Sequence, residues 1–134
     1  MPVHQLLVYP VTSHAMNTKS YEENEQGPIL TKPMMAWFWG PYLKSSADGQ
    51  SPYIAPLQAN TDGLPPATVI TAGFDVLRDE GAAYAEKLRG SGVKVEYRNY
   101  PGMGHEFFGM GAVVDEAKNA TKAAGSSLKY SFQR

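Results

Sequence analysis

The sequence contains no cysteine, which excludes a disulfide scaffold, thiolate metal sites and a cysteine nucleophile. It also lacks long apolar runs, and no stretch approaches the ~20 residues that a membrane-crossing helix requires. Basic clusters are missing, and a formal net charge of −1 offers nothing to nucleic acid or an anionic membrane surface. The opening "MPVHQLLVYPVTSHAM" has no basic leader, and Pro10 interrupts its apolar run, so a signal peptide is not expected. These absences leave a cytoplasmic chain with no nucleic-acid or membrane partner as the expectation.

What is present fits one globular domain, residues 1–134, with 43% apolar and 19% charged residues. "QLLVYPV" (Gln5–Val11) predicts a buried strand stopped by proline. Thr12–Gln26 is polar and aperiodic, which predicts a loop. "TKPMMAWFWGPYLK" (Thr31–Lys44) predicts a helix capped by Thr31, with Pro33 in its first turn and Gly40-Pro41 kinking or ending it. Ser45–Pro66, with Pro52, Pro56, Pro65 and Pro66, predicts an ordered connection.

"ATVITAG" (Ala67–Gly73) is a second buried strand, rich in β-branched residues. "DEGAAYAEKLRGSG" (Asp79–Gly92) is a helix with acids at its start, bases near its end and a glycine stop. "VKVEYRNY" (Val93–Tyr100) alternates as a half-solvated strand does. A last helix runs from Ala112 to about Leu128. Alternating strands and helices imply an α/β fold with three parallel strands and flanking helices. In such sheets the site is built from loops beyond the carboxyl ends of the strands.

Two loops meet that description and carry titratable groups. "GFDVLRDEG" follows the second strand and "GMGHEFF" the third, so neighbouring strands would bring Asp75 and His105 to one edge. A carboxylate and an imidazole are the acid and base that acyl transfer by a serine requires. Taken alone, a loop histidine is more often a surface residue, and an aspartate before a helix more often a turn or cap. His4 and His14 lack supporting neighbours and read as structural. Asp79 and Glu80 read as partners of a helix dipole, and Trp37, Phe38 and Trp39 read first as packing residues. A metal site from Asp75, Asp79, Glu80 and His105 is disfavoured, because no second histidine has suitable spacing. No cofactor is expected.

The stretch from "LPPATVITAGFDVLRDEG" through "YPGMGHEFFGM" resembles the carboxyl-terminal part of the hormone-sensitive-lipase-like α/β-hydrolases. That family includes many bacterial carboxylesterases and lipases. "LLVYPV" and "SPYIAPL" extend the likeness over nearly the whole chain. The family's "D-P-L-x-D-E" segment carries the triad acid and maps to Asp75; its "G-x-x-H-x-F" segment carries the base and maps to His105. Val76 replaces the usual proline, and Glu106 stands where glycine is common.

The resemblance implies a partial α/β-hydrolase fold acting on small carboxylic esters. Its serine belongs in a G-x-S-x-G elbow and its oxyanion hole in an H-G-G-type loop. Ser51 and Ser127 have glycine on one side only, and Ser91, in "RGSGV", does not fit the elbow. Two of the three triad groups are therefore present, and little activity is expected of the chain alone. The first strand, left without a neighbour, predicts self-association or a partner supplying the missing strands. The alternative is a non-catalytic α/β module retaining the scaffold for binding or assembly. Trp37–Trp39 and Phe107–Phe108 are the candidates for lining an acyl pocket.

Overall fold

A computed structural model describes residues 1–133. Strands β1 (Gln5–Val8), β2 (Ala67–Phe74) and β3 (Val95–Gly104) form one parallel sheet in the order β1-β2-β3. Helix α3 (Arg78–Gly90) connects β2 to β3, and α4 (Asp115–Phe132) closes the chain. Ala67 and Val69 on β2 pack against Tyr84, Ala85 and Leu88 of α3. Ile70 and Ala72 meet Ala117, Ala120 and Ala124 of α4. Small residues on α4 let that helix lie close to the strands. The central strand is thus covered on both faces, which is why β2 is buried continuously from Ala67 to Gly73 rather than at alternate positions.

The expected elements are present with shifted ends. β1 stops at Val8, earlier than the apolar run, because Tyr9 has φ of 35° and Pro10 has no N–H to continue a ladder. Helix α2 (Lys32–Tyr42) starts as predicted: the Thr31 hydroxyl accepts from the Met34 amide at 3.2 Å. It also ends beside Gly40-Pro41 as expected, with Tyr42 its last residue and Leu43 already extended. The polar segment Thr12–Gln26 is not all loop, for it contains a short helix, α1 (Lys19–Glu23). Five residues are too few to show a 3.6-residue period. Ser45–Pro66 contains two short helical turns, at Ser46–Gln50 and Pro56–Gln58.

One irregularity governs the sheet's carboxyl edge. Ala72 pairs with Tyr100, but Phe74 pairs with Gly104, so two steps along β2 match four along β3. Two extra residues of β3 bulge outward around Pro101–Met103. Where they do so, β2 must be bare: a Cβ on Gly73 would stand 2.1 Å from the Pro101 carbonyl oxygen. The neighbour is backbone and cannot swing away. Gly73→Ala should therefore cost about 1–3 kcal/mol or more through overpacking, read as a lowered midpoint in urea unfolding. An unchanged midpoint would show that the strands do not approach this closely.

Candidate active site

The bulge sets which residues meet. Had the Ala72–Tyr100 register continued, Asp75 would face Met103. The two extra residues, taken up in the bulge, hold the rest of β3 back by about 6–7 Å, which brings the residue after Gly104 level with the residue after Phe74. Those residues are His105 and Asp75. Nδ1 of His105 lies 2.8 Å from Oδ2 of Asp75. The carboxylate is fully buried, and the imidazole side chain retains 15% of its exposure. An ionised carboxylate only accepts hydrogen bonds, so this contact favours the proton on Nδ1 and leaves Nε2 as a free acceptor. The pairing expected from the two loops is present.

The turn holding Asp75 is tied from several sides. Its Oδ1 accepts from the Leu77 amide at 3.0 Å, and its carbonyl accepts from the Arg78 amide at 3.2 Å. The Arg78 guanidinium donates to the Gly73 carbonyl at 3.0 Å and to Asp79 Oδ1 at 2.8 Å. From α1, the Ser20 hydroxyl donates to the Val76 carbonyl and the Ser20 amide to Asp79 Oδ2, each at 2.8 Å. The helix that escaped sequence reasoning is therefore a clamp on the acid's turn. Val76 in place of proline is buried against Tyr21, Leu30 and Trp39, so the turn holds without a fixed φ.

His105 is seated against Tyr9, ring centroids 4.3 Å apart. Its Nε2 faces Glu106, whose Oε1 is 3.6 Å away. Glu106 has φ of 69°, the left-handed region, which explains why glycine is common there. Beside the imidazole opens a cavity of about 620 Å³, walled by Tyr9, Phe38, Trp39, Tyr42 and Tyr53 among others. Of the expected lining residues, Phe38 and Trp39 are in place. Trp37 is exposed and packs on Phe38 instead. Phe107 is buried under α4 with Ile70 and Ala72, and Phe108 packs on the same cluster, so neither lines this cavity.

Neither His4 nor His14 lines this cavity, though His14 backs one of its walls. His4 bridges Thr68 at 2.9 Å and Ser131 at 3.0 Å, and His14 packs edge-on against Trp39. The serines weighed against the nucleophile elbow are engaged elsewhere: Ser91 with Thr61, Ser127 with Glu96, Ser51 with the Tyr53 amide. Among the described residues no three His, Cys, Asp or Glu side chains converge to hold a metal ion. Nor is any helix among them long and apolar enough to cross a membrane.

Glu80 corrects the sequence reading most. It does more than face a helix dipole: it is buried, and its Oε2 accepts from the amides of Thr12 at 2.5 Å and Ser13 at 2.8 Å. It fastens the segment after β1, which carries Tyr9 and Val11 of the cavity wall, to α3. Composition alone makes it one more acid in a first turn; its one distinguishing signal is its place as the last residue of the D-P-L-x-D-E segment.

Residues 1–109 match the family described as the alpha/beta hydrolase fold, and the chain belongs to it, in its hormone-sensitive-lipase-like branch. The carboxylesterase NlhH of Mycobacterium tuberculosis is 41% identical over 132 residues, covering 95% of this chain and 41% of NlhH. A thermostable esterase from Pseudomonas putida ECU1011 superposes with a TM-score of 0.91 at 43% identity, covering 97% of this chain and 43% of that one. EstE1, a carboxylesterase cloned from a metagenomic library, gives 0.94 at 35% identity, covering 98% and 46% respectively. The chain spans less than half the length of each of these relatives.

Burial pushes the Glu80 carboxyl above its ordinary value of 4.5, against the pull of the Thr12 and Ser13 amides. Between 4.5 and the raised value the folded chain binds more protons than the unfolded one. Stability contributed by this group therefore falls as pH rises through that window and is flat above it. The stability of the parent chain minus that of Glu80→Gln, from urea unfolding at successive pH values, should fall upward from about pH 4.5. A difference that rises with pH would contradict the assignment. Glu80→Ala, which strands two buried amides, should cost about 2–4 kcal/mol.

Proposed function

We propose that this chain supplies the acid and base of a serine-type carboxylic ester hydrolase. The 2.8 Å contact between Asp75 and His105 at the carboxyl edge of neighbouring parallel strands carries the reading. In the assembled site, Nε2 of His105 takes the proton of a serine hydroxyl as its oxygen attacks the ester carbonyl. The imidazolium then returns that proton to the departing alcohol as the tetrahedral intermediate collapses to an acyl-enzyme. A second passage, with water as the nucleophile, releases the acid. Asp75 fixes the tautomer and offsets the imidazolium charge throughout. The aromatic cavity beside His105 suits one arm of a short or medium-chain ester.

The serine and the oxyanion donors come from outside these 134 residues, either from a longer parent chain or from a second one. β1 supports this, for its one neighbour among the described strands is β2 and its other edge is open to pairing. Self-association or a partner contributing further strands would occupy that edge. Without the nucleophile, ester hydrolysis by the chain alone should stay near background.

A serine-directed phosphonate should accordingly leave no adduct on the isolated chain. Once the missing segment of the sheet and its serine are supplied, an adduct should form, and His105→Ala should slow ester turnover by about 10²–10⁴-fold. A specific serine adduct on the isolated chain, or turnover indifferent to His105→Ala in the assembly, would refute the proposal.

A further inference from the structure

We infer that the site selects its ester by charge, preferring substrates with a cationic group over uncharged isosteres and excluding anionic ones. The inference deepens the esterase reading and rests on it. Its first support is the wall of the cavity. Tyr9, Phe38, Trp39, Tyr42 and Tyr53 present aromatic rings, whose negative faces attract an ammonium group. Among the described residues, the lining includes neither lysine nor arginine.

The second support is Glu106. Its carboxylate stands 3.6 Å from Nε2 of His105, the nitrogen that hands its proton to the leaving alcohol. Asp75 is buried and bonded to the imidazole, so Glu106 is the additional charge that an incoming substrate meets. The residue keeps a side chain at φ 69° and ψ 0°, where glycine is the easy choice. A strained position of that kind beside reacting atoms is where a side chain with a task is found. Tyr9 senses the same field: burial first, then the Glu106 and Asp75 charges, raise its phenol above the ordinary value. Glu106 is 58% exposed, so its attraction is partly screened and should weaken with salt.

A shape-matched pair of esters tests this on the 134-residue chain without any turnover. Acetylcholine carries a trimethylammonium group where neohexyl acetate carries an uncharged tert-butyl group, and acetoxyacetate supplies the anion. Binding is followed through the His105 and Tyr9 side-chain resonances. Acetylcholine should bind at least about five-fold more tightly than neohexyl acetate, and acetoxyacetate should not bind. The preference should shrink in both Glu106→Gln and Glu106→Gly. The glycine variant also relieves the left-handed backbone, so it guards against loss of folding. Equal or tighter binding of neohexyl acetate, or a preference unaltered in both variants, would overturn charge selection and leave the ester site standing. Failure of all three esters to perturb His105 would overturn charge selection by this chain, while the ester reading is judged separately by the serine adduct and the His105→Ala turnover in the assembly.

Discussion

The two-residue excess of β3 over β2 is the constraint on which the site depends. Parallel strands in plain register would leave Asp75 and His105 displaced along the sheet, beyond hydrogen-bond reach. The bulge at Pro101–Met103 removes that displacement, and bare backbone at Gly73 gives it room. Conformational freedom of the histidine loop is thereby spent before any substrate arrives. In the proposed reaction, a base that bonds a carboxylate on one nitrogen and serves a hydroxyl on the other gains from being fixed in this way.

Around that contact the chain is organised as a set of ties to the two loops. α1 and Arg78 hold the turn of Asp75. Glu80 holds the segment that follows β1, and with it Tyr9, whose ring backs the imidazole. Burying Glu80 opposes its ionisation, yet a side chain without its oxygens would strand two amides in the interior. Backbone strain gathers in the same place: Tyr9 and Glu106, on either side of His105, both have positive φ. The Tyr9 ring lies beside the imidazole and the Glu106 carboxylate faces its Nε2.

The sheet and its three long helices were legible because their signals are local. "ATVITAG" is a buried strand by composition, and Asp79–Gly92 announces its ends by charge and glycine. Asp75 and His105 were legible as a pair because strand-end loops and the motif resemblance pointed to the same two positions. The bulge was not, since Gly73 matters only through the Pro101 carbonyl, a neighbour that pairing alone creates. α1 was hidden by its five-residue length and by an N-cap, Thr18, with no side-chain bond to mark it. Glu80 was misread because helix-start acids usually face solvent; its partners, Thr12 and Ser13, lie more than 60 residues away. Phe107 reads as a pocket residue beside His105, yet the short turn after the histidine carries it beneath α4.

The central claim is that Asp75 dictates which nitrogen of His105 bears the proton. A solvent-exposed neutral histidine side chain favours the proton on Nε2, so the opposite tautomer is diagnostic. Nitrogen chemical shifts of His105 in its neutral form, correlated to the ring protons, report this directly. The account predicts a protonated Nδ1 and a bare Nε2 in the parent chain, lost in Asp75→Ala. A protonated Nε2, or a rapidly exchanging mixture of both forms in the parent chain, would contradict it.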